Sequence, residues 1–162
     1  MRLPFEAIRW AAVMLLVAGC AQSPFREVPD TARMLTPAQA LASPERVGET
    51  VLWGGRIVGV SPVDGHTELE VLALPLKRGD RPDRSADGSL RFIVRHPGFL
   101  EPMNYAPGRF VTVLGEFTGI ESRSVGSFPL DMPVLAARRI QLWPVKPNAP
   151  RPDLHIGIGV RF

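Results

Sequence analysis

One cysteine, three histidines and two closely spaced glutamates are the side chains whose chemistry deserves a first look. Cys20 is the only thiol, so no intramolecular disulfide can form and a thiolate metal cluster is excluded. His66, His96 and His155 are too scattered to make a ligand motif, and no metal or cofactor is expected. Glu68 and Glu70 lie two apart, on one face of a strand, where a solvated surface explains them better than an acid–base pair. The serines sit in no G-x-S-x-G elbow, and "GGRIVG" lacks the lysine and the spacing of a phosphate-binding loop. Nothing here assembles a catalytic constellation, and the expected protein is not an enzyme.

The thiol is different, because its surroundings specify a modification. Residues 1–9 carry Arg2 and Arg9, and residues 10–19, "WAAVMLLVAG", are uncharged and almost wholly apolar. A basic start, a short apolar run and small residues before a cut site are the parts of a secretory signal. The run falls short of the roughly 20 apolar residues that span a bilayer as a helix. Val17-Ala18-Gly19-Cys20 follows at once and resembles the bacterial lipobox. The expectation is cleavage between Gly19 and Cys20, a thioether to diacylglycerol on Cys20, and acylation of the new amino group. Small residues let a peptidase reach the bond, and several acyl chains anchor where one is marginal. Ala21, where an Asp would favour inner-membrane retention in enteric-type bacteria, points to the outer membrane.

Composition then bounds the rest. The 162 residues make one domain with extensions. Lys and Arg number 19 against 16 Asp and Glu, with no basic block long enough for a polybasic arm. Seventeen prolines and 15 glycines cut the chain into short segments.

Along the mature chain, residues 21–35 show no clear period and read as a tether. "TPAQALAS" (36–43) predicts a short helix, with Thr36 as N-cap, Pro37 in the first turn and Pro44 closing it. Strands are predicted over 50–60, 68–74, 89–95, 109–117 and 133–144, with a hairpin turn at Asp64-Gly65. A polar loop is expected at 77–88 and a Gly- and Ser-rich loop at 119–127. Five strands without intervening long helices argue against a parallel α/β sheet. They predict an all-β fold, a small, partly open OB-like barrel with a short N-terminal helix; a small sandwich competes with it. The implied organisation is a signal peptide (1–19), a lipid-anchored tether with the helix (20–47), the barrel (48–144) and a Pro-rich tail (145–162) whose alternating "LHIGIGVRF" reads as an edge strand or an interaction segment.

"VLWGGRIVGV", "LEVLALPL", "GFLEPMNYAPGRFVTVLGEFTG" and "RRIQLWP", behind the Cys20 motif, together resemble the Slp family of outer-membrane lipoproteins, named for starvation-inducible lipoprotein. The resemblance implies a periplasm-facing, lipid-anchored protein of the outer membrane, associated with starvation or stationary-phase stress. It supplies no catalytic residues.

"GFLEPMNY" leaves two readings open. Phe99 and Tyr105 either close one end of the barrel or, with Trp53, line a surface for a partner or an apolar ligand. Arg91, Arg95, Arg109, Arg138 and Arg139 could make a basic face, though solvated strand faces explain them better. Export makes cytoplasmic nucleic acid an unsuitable partner for it; lipopolysaccharide or another envelope component is the sensible one.

Overall fold

The computed structural model describes residues 23–88 and 90–145. Five strands close into a barrel: β1 (Thr50–Val63), β2 (His66–Ala73), β5 (Arg91–Pro97), β6 (Phe110–Val125) and β7 (Phe128–Leu142). A two-stranded ribbon, β3 (Leu76–Lys77) and β4 (Arg81–Pro82), interrupts the predicted polar loop. One short helix, α1 (Pro37–Ala42), precedes them.

The barrel order is β1-β2-β5-β7-β6, closed by antiparallel β1–β6 pairing. All contacts are antiparallel except β5–β7, which run parallel over three residue pairs. This is the strand order of an OB-type barrel, closed where a partly open one was expected. Closure needs sharply coiled strands, and two glycines supply the room. A Cβ on Gly55 would lie 2.0 Å from the Leu72 carbonyl oxygen, and one on Gly115 would lie 2.2 Å from that of Ala136. Bulges at Ile57/Gly59, Leu114/Gly115 and Phe117/Gly119 add further bend.

Strand alternation fills the interior. Val51, Trp53 and Ile57 from β1 meet Leu69 and Val71 from β2, Phe92 and Val94 from β5, and Val111, Val113 and Phe117 from β6. Trp53 stands edge-on to Phe92, with ring centroids 5.3 Å apart. Its indole N–H donates to the Leu35 carbonyl at 2.6 Å, so the polar edge is satisfied where no water reaches.

The helix forms where predicted. Thr36 Oγ1 accepts from the Gln39 amide, and Gln39 Oε1 accepts from the Thr36 amide, a reciprocal capping box. Pro37 opens the first turn, and a 3₁₀ turn at Pro44–Arg46 follows Ser43.

Two expectations fail. Residues 23–35 are no loose tether: Phe25, Val28, Ala32 and Leu35 are buried, the first three over Leu52 on the outer face of β1. Both faces of β1 are therefore covered, which is why "VLW" is apolar without alternation. The second difference is length. β6 and β7 continue through the predicted loop to a turn at Gly126. Their distal half is held by a ring of Glu68, Arg95, Glu121 and Arg123, at 2.7–3.2 Å. Beside the ring, Ile93, Met132 and Val134 form a separate apolar cluster.

The 98–108 connection closes one barrel end through a neighbour of the expected residue. Thr67 Oγ1 donates to the Gly98 carbonyl and accepts from the Leu100 amide, both at 2.9 Å. That clamp turns Leu100 inward, where it is buried in the core. Phe99 points out, 66% exposed, and Tyr105 is half-buried against the core. Leu100→Ala should cost about 2–5 kcal/mol, whereas Phe99→Ala should change stability by less than about 0.5 kcal/mol. Urea unfolding of the two variants side by side checks the assignment.

Candidate functional site

The residues proposed from sequence as one surface are not brought together. Trp53 lies in the barrel interior, Phe99 in solvent and Tyr105 between the two. The arginines proposed as a basic face are paired: Arg91 with Glu70, Arg95 with Glu68 and Glu121, Arg138 with Glu116 and Arg139 with Glu27. Arg109 donates to the carbonyls of Asn104 and Trp143. Glu68 and Glu70, proposed as a solvated pair, are thereby tied to arginines. Burial opposes ionisation of Glu68, but Arg95 and Arg123 outweigh it and hold its carboxyl below the ordinary range. The sheet sets His66 and His96 on neighbouring strands. Among the described residues, however, no three metal-ligating side chains converge. Gly19, Cys20, Ala21 and His155 lie outside the described residues.

The feature that stands out is where the N-terminal segment meets the β3–β4 ribbon. Arg78, Gly79 and Asp80 make the tight turn of that ribbon, with positive φ at Gly79 and Asp80. Asp tolerates this left-handed conformation better than most side chains. The ribbon can lie on the barrel because Gly54 has no side chain: a Cβ there would stand 2.5 Å from Leu76 Cδ2.

Asp80 is buried and joins three elements. Arg33 Nε and Nη2 donate to its two carboxylate oxygens at 2.9 and 2.8 Å, a bidentate pair. The Ser23 hydroxyl donates to the same carboxylate. The Asp80 carbonyl accepts from Thr112 Oγ1 at 2.7 Å, and that hydroxyl accepts from Trp143 Nε1 at 2.9 Å. Arg33 also donates to the carbonyls of Phe25 and Val28 at 3.0 and 2.9 Å, which fixes the segment's path. The Arg33 guanidinium, helped by Ser23, holds the Asp80 carboxyl below the ordinary aspartate range against the pull of burial.

Beside this junction is an apolar cleft of about 620 Å³ between residues 33–38, β1 and the β2–β3 link. Leu35, Leu52, Leu74, Leu76 and Leu90 line it and Trp53 backs it; neither Phe99 nor Tyr105 does. A second recess of about 580 Å³ shares Lys77 and Arg78 with it. There Arg81 lies over the Trp143 ring at 4.6 Å and Arg84 over Phe110 at 4.7 Å. Hydrocarbon in one chamber and cations at its edge suit an amphiphile. Sequence reading missed this site because "KRGDRPDR" looks like any polar loop. The usable signal was the 3-4-3 spacing of Phe25, Val28, Ala32 and Leu35, which marks a segment with one face to bury.

A lipoprotein-type N-terminus joined to a closed five-stranded barrel defines the class: an outer-membrane lipoprotein with an OB-type domain. The chain belongs to the outer membrane lipoprotein Slp family, whose family model matches residues 17–156. It is 29% identical over 136 residues to the uncharacterized lipoprotein YeaY of Escherichia coli strain K12, covering 80% of this chain and 67% of that protein. It is 33% identical over 97 residues to outer membrane protein Slp of the same organism, covering 60% of this chain and 51% of that protein. The match thus spans about two thirds of one relative and about half of the other. Among solved structures it is similar to a small single-stranded DNA-binding protein from Streptomyces coelicolor, at 15% identity and a TM-score of 0.38, over 59% of this chain and 94% of that one. A putative aspartyl-tRNA synthetase from Leishmania major Friedlin matches 84% of this chain and 26% of its own, at 16% identity and a TM-score of 0.45. Likeness this weak says nothing of ligands.

Asp80→Asn should cost roughly 1.5–3 kcal/mol, the scale of a hydrogen bond to a charged group. The sign with pH follows from the lowered carboxyl. The folded state binds fewer protons, so the stabilisation is complete above an unfolded aspartate's pKa of about 3.9 and is lost as pH falls below it. Thermal melts from pH 7 to pH 3 should show wild type and variant converging at the acid end.

Proposed function

We propose that the chain is cut between Gly19 and Cys20, acylated on Cys20, and acts as a non-enzymatic interaction module on the periplasmic side of the outer membrane during starvation or stationary-phase stress. Residues 1–19 are the signal, and 145–162 form a Pro-rich tail beyond the barrel. The observation that carries this reading is that Ser23, three residues after Cys20, is already packed on the domain. Three residue steps from Cys20 reach at most about 11 Å, so an acylated Cys20 keeps the barrel against the lipid headgroups. The family membership supports the membrane, and the pairing of Glu68 and Glu70 with arginines supports a role without acid–base catalysis.

A second reading is favoured by the cleft: a binding module for an apolar or anionic envelope ligand, lipopolysaccharide included. An interaction module needs the barrel's position at the membrane, whereas a soluble-ligand binder needs only the cleft.

Mass spectrometry of the N-terminal peptide should show a fully acylated Cys20, and Cys20→Ser should leave the precursor uncut. A free thiol in the wild type overturns the anchor. A long flexible Gly/Ser insertion after Gln22 should preserve acylation but abolish rescue of a deletion strain in stationary phase. Full rescue by that variant overturns the need for close apposition.

A further inference from the structure

The apolar cleft and its cationic edge specify more than a generic pocket. Its size falls inside the range of about 300–1,000 Å³ typical of ligand sites. Of the charges around it, Asp80 is matched by Arg33 and Lys77 by Asp83. Among the described residues, Arg78, Arg81 and Arg84 make no ion pair. Arg81 and Arg84 lie over aromatic rings, which leave their net charge in place, and Arg84 also donates to the Pro144 carbonyl. Among the described residues at the edge, Asp87 is the one carboxylate that makes no ion pair. The surplus is cationic.

Position supplies the other half of the argument. Ser23, three residues after Cys20, donates to Asp80, which lines the cleft. With the anchor three residues before Ser23, the cleft lies next to the bilayer surface. We propose that the cleft receives one acyl chain of an anionic phospholipid from the adjoining leaflet, with its phosphate held by Arg78 and Arg81. This rests on the membrane-apposed anchoring proposed above. Moving a chain from bilayer to cleft exchanges one hydrocarbon surrounding for another, so the tail contributes little selectivity. The headgroup decides, and arginines without carboxylate partners select a net negative one.

The test uses the acylated mature chain, purified in detergent and examined by native mass spectrometry with added phosphatidylglycerol or phosphatidylcholine of identical tails. One phosphatidylglycerol per chain should be retained, at roughly fivefold preference over phosphatidylcholine. Arg78→Glu should abolish the preference and Arg78→Lys should keep most of it. Ala38→Trp, at an exposed position on the cleft wall, should block retention of either lipid. Equal retention of the two lipids, retention indifferent to Arg78→Glu and Ala38→Trp, or no retained lipid because the chain's own acyl group fills the cleft would each overturn the proposal. The covalent mass after denaturation reports Cys20 acylation separately, so failure of the cleft and failure of the anchor give different spectra.

Discussion

The bidentate pair between Arg33 and Asp80 is the contact on which the arrangement of the rest depends. It ties the N-terminal segment, which makes no strand pairing with the barrel, to the β3–β4 ribbon. One guanidinium satisfies a buried carboxylate and two backbone carbonyls of the segment at once. The carboxylate's own main chain is pinned to Thr112, and through it to Trp143 at the end of the last strand. Remove the charge on either side and a partly buried ion is left without its partner, which costs more than the pair itself contributes. Phe25, Val28 and Ala32 would then be held over Leu52 by apolar contact and by Arg139, which pairs with Glu27 and lies over the Phe25 ring.

That dependence explains why the architecture was largely legible and the site was not. The core strands alternate, and Leu69, Val71, Phe92 and Val94 announce their inward face through period-two spacing. The turn at Asp64-Gly65 and the cap at Thr36 are local chemistry, readable from a few residues. The distal halves of β6 and β7 were hidden because their outer contacts are ionic: a strand held by Glu121 and Arg123 shows no apolar stripe. The Arg33–Asp80 pair joins residues 47 apart, and no spacing rule reaches that far. Phe99 misled for a simpler reason. The clamp on Thr67 sets the loop's phase, and a shift of one residue exchanges Phe99 for Leu100 at the barrel mouth.

The cleft follows from the same junction. A ribbon laid on Gly54, a segment laid on Leu52 and the β2–β3 link between them leave a gap that no side chain fills. Leu35 and Trp53 in its wall belong to the barrel core, and Leu52 and Leu76 to the cluster under the N-terminal segment. Arg78 at its edge stands in the turn that Asp80 pins to Arg33 and Thr112.

The sequence separation of the contacts sets an order of events during folding. Glu27, among the first residues of the packed domain, is bound by Arg139 on the last strand, 112 residues later. Asp80 cannot be oriented until Thr112 and Trp143 are in place. Pairings this distant form slowly, since loop closure must precede any reward. The segment next to Cys20 thus has no docking surface until the barrel is complete. Residues 23–35, made before any strand of the barrel, are therefore the part secured last.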